Sequence, residues 1–176
     1  MPRIPPKPLE QIVRECGRYP LEAFLFVQEC VGTAADQVHG ALTPEQAVVA
    51  QWMAREEVPP ELLTRLHHEH RLPPEIGRAV HAMGGPERMN RHVTGQQLCW
   101  AIRDEALRRW GLMARSVLAR WNIVCTEDIG RIIFHLVEND WLQKQPSDSI
   151  EDFNNVFSFD EAFDGSYRLA EKLQRK

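Results

Sequence analysis

Apolar residues recur at helical spacing along most of this chain, and that spacing is the feature that most restricts its fold. In the clearest run, Ile129, Ile132, Ile133, Leu136 and Val137 place one buried stripe on a single helix. Prolines and glycines interrupt the pattern at short intervals, and strand-like alternation is confined to a few residues near the C-terminus. The spacing therefore predicts a mainly α protein.

Side chains that cap helices mark several helix starts. Thr43 with Gln46 and Thr94 with Gln97 have the spacing of a capping box, in which each side chain bonds a backbone N–H of the other residue. Thr126, followed by two acidic residues, is predicted to cap a third helix. These signals place helix starts at both ends of the central region.

The chain is expected to divide into four parts. The segment Leu21–Val31 is apolar on more than one face, which is typical of a central helix covered on several sides. Two Pro-Pro-Glu helix starts lie close together further along the chain, within a region read as a helical insertion. The predicted parts are an N-terminal helical pair (1–40), a helical insertion (41–91), a winged-helix-like unit (92–166) and a basic tail (167–176).

The expected C-terminal unit has the element order helix, helix, turn, helix, hairpin. Its two strands are predicted at Trp141–Lys144 and Asn155–Phe159, joined by a polar loop. The predicted fold class is thus mainly α, with the helical N-terminal unit packed on a winged-helix-like C-terminal unit that carries a small β-hairpin.

Composition limits the classes of partner. The 176 residues carry a formal charge of −4, which argues against general binding of polyanions. No apolar run approaches the roughly 20 residues that cross a bilayer, and no secretory leader is recognisable at the start, so we expect no membrane partner. The four cysteines are widely spaced and are expected to be reduced, mostly buried thiols of a cytoplasmic protein.

Five segments of the chain are distinctive enough to compare with known families: Arg18–Gln28, His92–Cys99, Thr126–Phe134, Ser149–Phe153 and Phe159–Phe163. They resemble a conserved hypothetical family of planctomycete and verrucomicrobial bacteria. The resemblance covers residues 9–40 and 92–164 and leaves 41–91 unmatched. It implies no activity, cofactor or functional residue.

Charge is distributed unevenly over the C-terminal half. Residues 126–166 hold ten acidic and two basic side chains, and the solvent side of the helix that starts there is expected to include Glu127 and Asp128. Such a face repels a phosphate backbone, so insertion of this helix into a DNA groove is disfavoured. Residues 101–125, by contrast, hold five arginines against two acids. The candidate binding residues are Arg103, Arg108, Arg109, Arg115, Arg120, Glu127, Asp128 and Arg131.

This charge pattern leaves three interpretations open. The arginines can pair with acids of the same chain, form a two-signed docking surface for a charged protein, or contact RNA or phosphate. A protein partner is favoured over nucleic acid, and the expected function is that of a non-enzymatic adaptor or regulatory protein. The oligomeric state is left open.

Enzymatic alternatives rest on the cysteines. Cys99 with His92, or Cys125 with His135, could act as a thiol–imidazole pair, but both cysteines lie where packing residues are more usual. The histidines of the tract 67–70 lack the further ligands that zinc requires, so no metal and no cofactor is expected. No catalytic residue is assigned.

Overall fold

The computed structural model describes residues 7–164, which are mainly helical as predicted. No helix among them is both long enough and apolar enough to cross a lipid bilayer. The helices are α1 (Leu9–Cys16), α2 (Leu21–His39), α3 (Pro44–Arg55), α4 (Pro60–His68), α5 (Pro74–Ala82), α6 (Gly95–Trp110), α7 (Ala114–Arg120) and α8 (Thr126–Glu138). Short 3₁₀ turns lie at Pro86–Met89, Gly111–Met113 and Ile150–Phe153, and a π-helical turn lies at Asp160–Asp164. The predicted basic tail lies outside the described residues.

Both predicted capping boxes are present. The Thr43 hydroxyl accepts from the Gln46 N–H while the Gln46 side chain accepts from the Thr43 N–H, and Thr94 and Gln97 repeat the arrangement. The predicted cap at Thr126 is wrong, because Cys125 is the N-cap residue of α8. The Thr126 hydroxyl is buried and accepts from the Val156 N–H, a contact thirty residues away.

The described chain forms two compact units. Of the described residues, 7–34 and 93–164 form the first unit, and Ala35–His92 form the second. The first unit buries side chains of α1, α2, α6, α7 and α8 in one core. The core of the second unit consists of four fully buried side chains, Val49, Leu63, Ile76 and Val80, with a partly buried apolar shell around them.

The predicted β-hairpin is wrong, because the described residues contain no strand. After α8 the chain forms short helical turns, and successive aromatic side chains enter the core from these turns instead of from a hairpin. The Phe153 ring lies against Gly95 of α6 and Gly130 of α8, where an added Cβ would come within 2.8 Å of it. Phe159 and Phe163 are also buried. The described residues thus contain the helices α6, α7 and α8 in this order but no β-hairpin that could be the wing of a winged-helix unit.

Candidate interaction surface on α7 and the α7–α8 turn

Three aromatic rings hold both ends of α7. Trp110 precedes the helix, Trp121 follows it, and their ring centroids lie 5.4 Å apart in an edge-to-face arrangement. Phe26 of α2 contacts both, at 4.9 Å from Trp110 and 5.7 Å from Trp121. Such ring pairs stabilise beyond the area they bury. The rings thus fix a helix that is too short to be stable by itself.

The exposed face of α7 is mainly polar, and large apolar side chains are exposed directly before and after the helix. The inner face places Ala114 and Leu118 in the core with no exposed area. Leu112 and Met113, in the turn that leads into α7, are 66% and 60% exposed, and Val124 after the helix is 55% exposed. We call the following exposed residues the α7 surface: Leu112, Met113, Arg115, Ser116, Ala119, Arg120 and Val124.

An open groove of about 340 Å³ adjoins the α7 surface. Its floor includes the buried side chains of Ile123 and Phe159, and the ion pair of Arg115 with Asp160 lies at its rim. The groove is therefore lined by polar, charged and apolar residues together. Its lining residues are Arg115, Ala119, Ile123, Val124, Ser158, Phe159 and Asp160.

Asp128 is buried beside this groove and does not face solvent, contrary to the sequence prediction. Its Oδ1 accepts from the Tyr19 hydroxyl at 2.7 Å, from Arg131 Nη1 at 2.7 Å and from Arg18 Nη2 at 2.9 Å. Its Oδ2 accepts from the Val124 N–H at 3.0 Å. We call Arg18, Tyr19, Asp128 and Arg131 the Asp128 cluster.

The Asp128 cluster holds its carboxylate ionised. Burial alone would raise the pKa of Asp128, but hydrogen bonds led by the Val124 N–H and the Tyr19 hydroxyl, with the positive charge of Arg18, hold it below its ordinary value. Burial, reinforced by the hydrogen bond to Asp128, raises the pKa of Tyr19 to about 12. The prediction had placed Asp128 outside because the first turn of a helix normally exposes its acids.

The neighbouring predicted site residue, Glu127, is partly buried, and its carboxylate accepts from the Asn155 N–H at 3.1 Å. Burial opposes its ionisation, but backbone N–H bonds and the charge of Arg131 lower its pKa. Glu127 and Asp128 thus both satisfy backbone donors. They do not form the exposed acidic pair that the sequence suggested.

Three predicted arginines on α6 pair within the chain. The Arg103 guanidinium donates to the Ala162 carbonyl at 3.1 Å and also pairs with Asp104. Arg108 and Arg109 both bind Glu105 at 2.6 Å. The hydrogen bond from Arg108 leads in lowering the pKa of Glu105 to about 2, while burial opposes it and Arg109 adds to it.

The two predicted arginines on α7 differ from each other. Arg115 pairs with Asp160 and Asp164, whereas Arg120 is exposed and makes no ion pair within residues 7–164. Arg131, on α8, belongs to the Asp128 cluster. The structure thus joins Asp128 and Arg131 in one cluster and places Arg115 and Arg120 on α7. Arg103, Arg108 and Arg109 instead bind acids and a carbonyl of the chain.

Sequence reasoning missed part of this surface. Arg18 and Tyr19 lie more than a hundred residues from Asp128 along the chain, and no local pattern pairs them. Leu112 and Met113 carried a usable signal, because two adjacent large apolar residues directly after Gly111 cannot both enter the core when the helix that follows spans only two turns. No sequence signal marked Val124 as exposed.

The cysteines are unpaired and poorly suited to thiolate chemistry. Burial raises the pKa of Cys99 to about 12 and leads in raising that of Cys125 to about 11. The Cys125 thiol lies 3.3 Å from Asp128 Oδ2 and donates to it. Among residues 7–164, no three His, Cys, Asp or Glu side chains come together as metal ligands.

Comparison of the chain with protein-family models, with curated proteins and with solved structures gives no match.

Proposed function

We propose that this chain is a non-enzymatic adaptor or regulatory module that recognises another protein through the α7 surface. The observation that carries the proposal is the exposure of three large apolar side chains around α7, Leu112, Met113 and Val124, at 66%, 60% and 55%, together with an open groove that Val124 lines. Large apolar side chains grouped on a surface are typical of protein docking sites.

The arrangement fits an apolar side chain of a partner protein seated in the groove. Interfaces gain most of their affinity from a few apolar anchors at the centre, surrounded by polar groups that exclude water. The buried Ile123 and Phe159 supply the apolar base, and the Arg115–Asp160 pair supplies a polar rim. The rings that hold α7 keep this surface in place before a partner arrives.

The internal pairing of the arginines weighs against the nucleic-acid alternative. Affinity for a phosphate backbone grows with the number of cations free to neutralise it. Arg103, Arg108 and Arg109 bind groups of their own chain, which leaves fewer cations for phosphates. The raised pKa values of Cys99 and Cys125 weigh likewise against a thiol enzyme.

Three further proposals accompany the function. The order α6, α7, α8 is that of the helices in a winged-helix unit used for protein binding, a fold that does not dictate function. The free cysteines favour a reducing compartment such as the cytoplasm. The resemblance to the planctomycete and verrucomicrobial family is a proposed membership, and it adds no residue role.

A random dodecapeptide library displayed on phage and selected on the full chain tests the proposed function. We expect peptides that bind wild type and lose affinity about tenfold or more on Met113→Asp, because a charge replaces an apolar contact. Biolayer interferometry with the synthesised peptides measures the change. Val48→Asp is the matched control, because Val48 is 49% exposed and lies in the other unit. Selected peptides that bind the Leu112→Asp and Met113→Asp variants as well as wild type would overturn the proposal, and so would a selection without binders.

A further inference from the structure

The Asp128 cluster contains more positive than negative charge. Arg18 and Arg131 each form an ion pair with Asp128 and with no other carboxylate in residues 7–164. Both guanidinium groups reach the same oxygen, Oδ1, so they lie close to each other. Two like charges held together repel, and a second carboxylate would relieve that repulsion.

Both arginines remain accessible from outside. Their side chains are 53% and 44% exposed, while the carboxylate between them is fully buried. A guanidinium carries five N–H donors in a planar fork, and the bonds to Asp128 use Nη2 of Arg18 and Nη1 of Arg131. The remaining donors on the solvent side can bind a carboxylate in the bidentate manner that arginine favours.

The arginine pair and the groove are linked through Val124. The Val124 N–H donates to Asp128 Oδ2 at 3.0 Å, and the Val124 side chain lines the groove. The Asn122 side chain donates to the Arg18 carbonyl at 2.8 Å, which places Arg18 beside the turn that follows α7. Arg120, the last residue of α7, directly precedes that turn and makes no ion pair within residues 7–164.

We infer that the α7 surface binds an acidic–apolar segment of a partner protein, with a partner carboxylate on Arg18 and Arg131 and a neighbouring apolar side chain in the groove. The inference rests on the proposed function and adds the chemistry of the partner. Charge complementarity at the arginine pair selects this occupant, because Arg18 and Arg131 share a single carboxylate, that of Asp128. Asp128 also accepts from the Val124 N–H, whereas the arginines have donors to spare.

A double-mutant cycle between protein and peptide tests the pairing. The probe is a dodecapeptide obtained by the phage selection described above, which we expect to contain Glu or Asp near a large apolar residue. Arg131→Ala should weaken this peptide about tenfold, and changing the peptide's Glu to Gln should weaken wild type to the same extent. On Arg131→Ala the Glu-to-Gln change should have little further effect, because the carboxylate has already lost its partner.

Further variants separate loss of the anchor from loss of the fold. Arg18→Lys keeps the charge but loses the planar fork, so it should retain only part of the affinity. Arg78→Ala removes an exposed arginine from α5 and should leave binding unchanged. Thermal unfolding of each variant verifies that the first unit is folded. We expect both arginine variants to be folded, because the Asp128 carboxylate keeps its hydrogen bonds from Tyr19 and Val124.

The outcomes distinguish this inference from the function on which it rests. Peptides without acidic residues, weakened by Met113→Asp but not by Arg131→Ala, would overturn the carboxylate anchor and leave the docking groove standing. Peptides insensitive to both changes would overturn the proposed function as well. A fluorescent single-stranded RNA dodecamer that binds more tightly than the peptides and is lost on Arg131→Ala would overturn the inference in favour of nucleic acid.

Discussion

Ala35–His92 folds around four fully buried side chains, whereas the other unit gathers α1, α2, α6, α7 and α8 around one much larger core. The helices of the smaller unit start at prolines, at Pro44, Pro60 and Pro74, which are signals contained within a few residues of sequence. The larger unit depends on contacts between distant segments, such as Arg18 with Asp128. Local signals are thus sufficient to define the helices of the smaller unit, whereas the candidate site depends on contacts between segments that are far apart in sequence.

The strongest way to break the comparison is to remove a distant contact from the larger unit. Asp128→Ala would leave the guanidinium groups of Arg18 and Arg131 together without their shared carboxylate, and the Tyr19 hydroxyl without an acceptor. We expect the free energy of unfolding to fall by about 3–5 kcal/mol, the usual cost of removing one partner from a buried charged cluster. Urea denaturation followed by circular dichroism measures it.

The control for Asp128→Ala lies in the smaller unit. Glu69→Ala removes the carboxylate of an ion pair with Arg71 in which both side chains are exposed, and it should cost about 0–1 kcal/mol, as surface ion pairs do. Equal losses in the two variants would contradict the special role of distant contacts in the larger unit.

A second test asks whether each core supports only its own unit. Leu63 is fully buried among the four core residues of the smaller unit, so Leu63→Ala should destabilise that unit by about 2–4 kcal/mol through lost contacts and a cavity. Hydrogen exchange should then accelerate at amides of α3, α4 and α5 and stay unchanged in α6 and α8.

The matched change in the larger unit is Leu118→Ala, which removes an equally buried leucine of α7. It should accelerate exchange in α6, α7 and α8 and leave α3–α5 protected. Parallel loss of protection in both units after either substitution would mean that the two units unfold together.

The smallest expected effect comes from the local signals that the two units share. Thr43→Ala and Thr94→Ala each remove one capping box, at the start of α3 and of α6. Each should cost about 1 kcal/mol, because the lost hydrogen bonds are the same in kind. Urea denaturation of the two variants measures the loss of unfolding free energy. A much larger loss for either one would show that its cap also stabilises contacts beyond the start of its helix.

The parts of the fold that sequence could predict are those with local causes. The capping boxes at Thr43 and Thr94 and the apolar stripe of α8 are readable because the interacting residues are close along the chain. The hairpin prediction failed because Phe157 and Phe159 alternate as in a strand, although the segment is shaped by separate rings entering the core. An alternating pattern shows which side chains are apolar, but it does not show which part of the core each of them packs against.

The candidate site was predicted in part for the same reason. Arg115 and Arg120 could be singled out from the local excess of arginine in residues 101–125. The burial of Asp128, in contrast, follows from donors contributed by Arg18, Tyr19 and the Val124 backbone. Which arginines are taken up by acids of their own chain depends on packing, as the sharing of Glu105 by Arg108 and Arg109 illustrates. Charge counts along a sequence carry no such information.

The rings of Phe26, Trp110 and Trp121 have a kinetic consequence. Because they close both ends of α7, the proposed partner would meet a helix already in its final position, and the entropy lost on ordering would fall on the partner's segment alone. Association should then proceed in a single step whose observed rate rises linearly with peptide concentration, without a plateau set by a slow rearrangement of this protein.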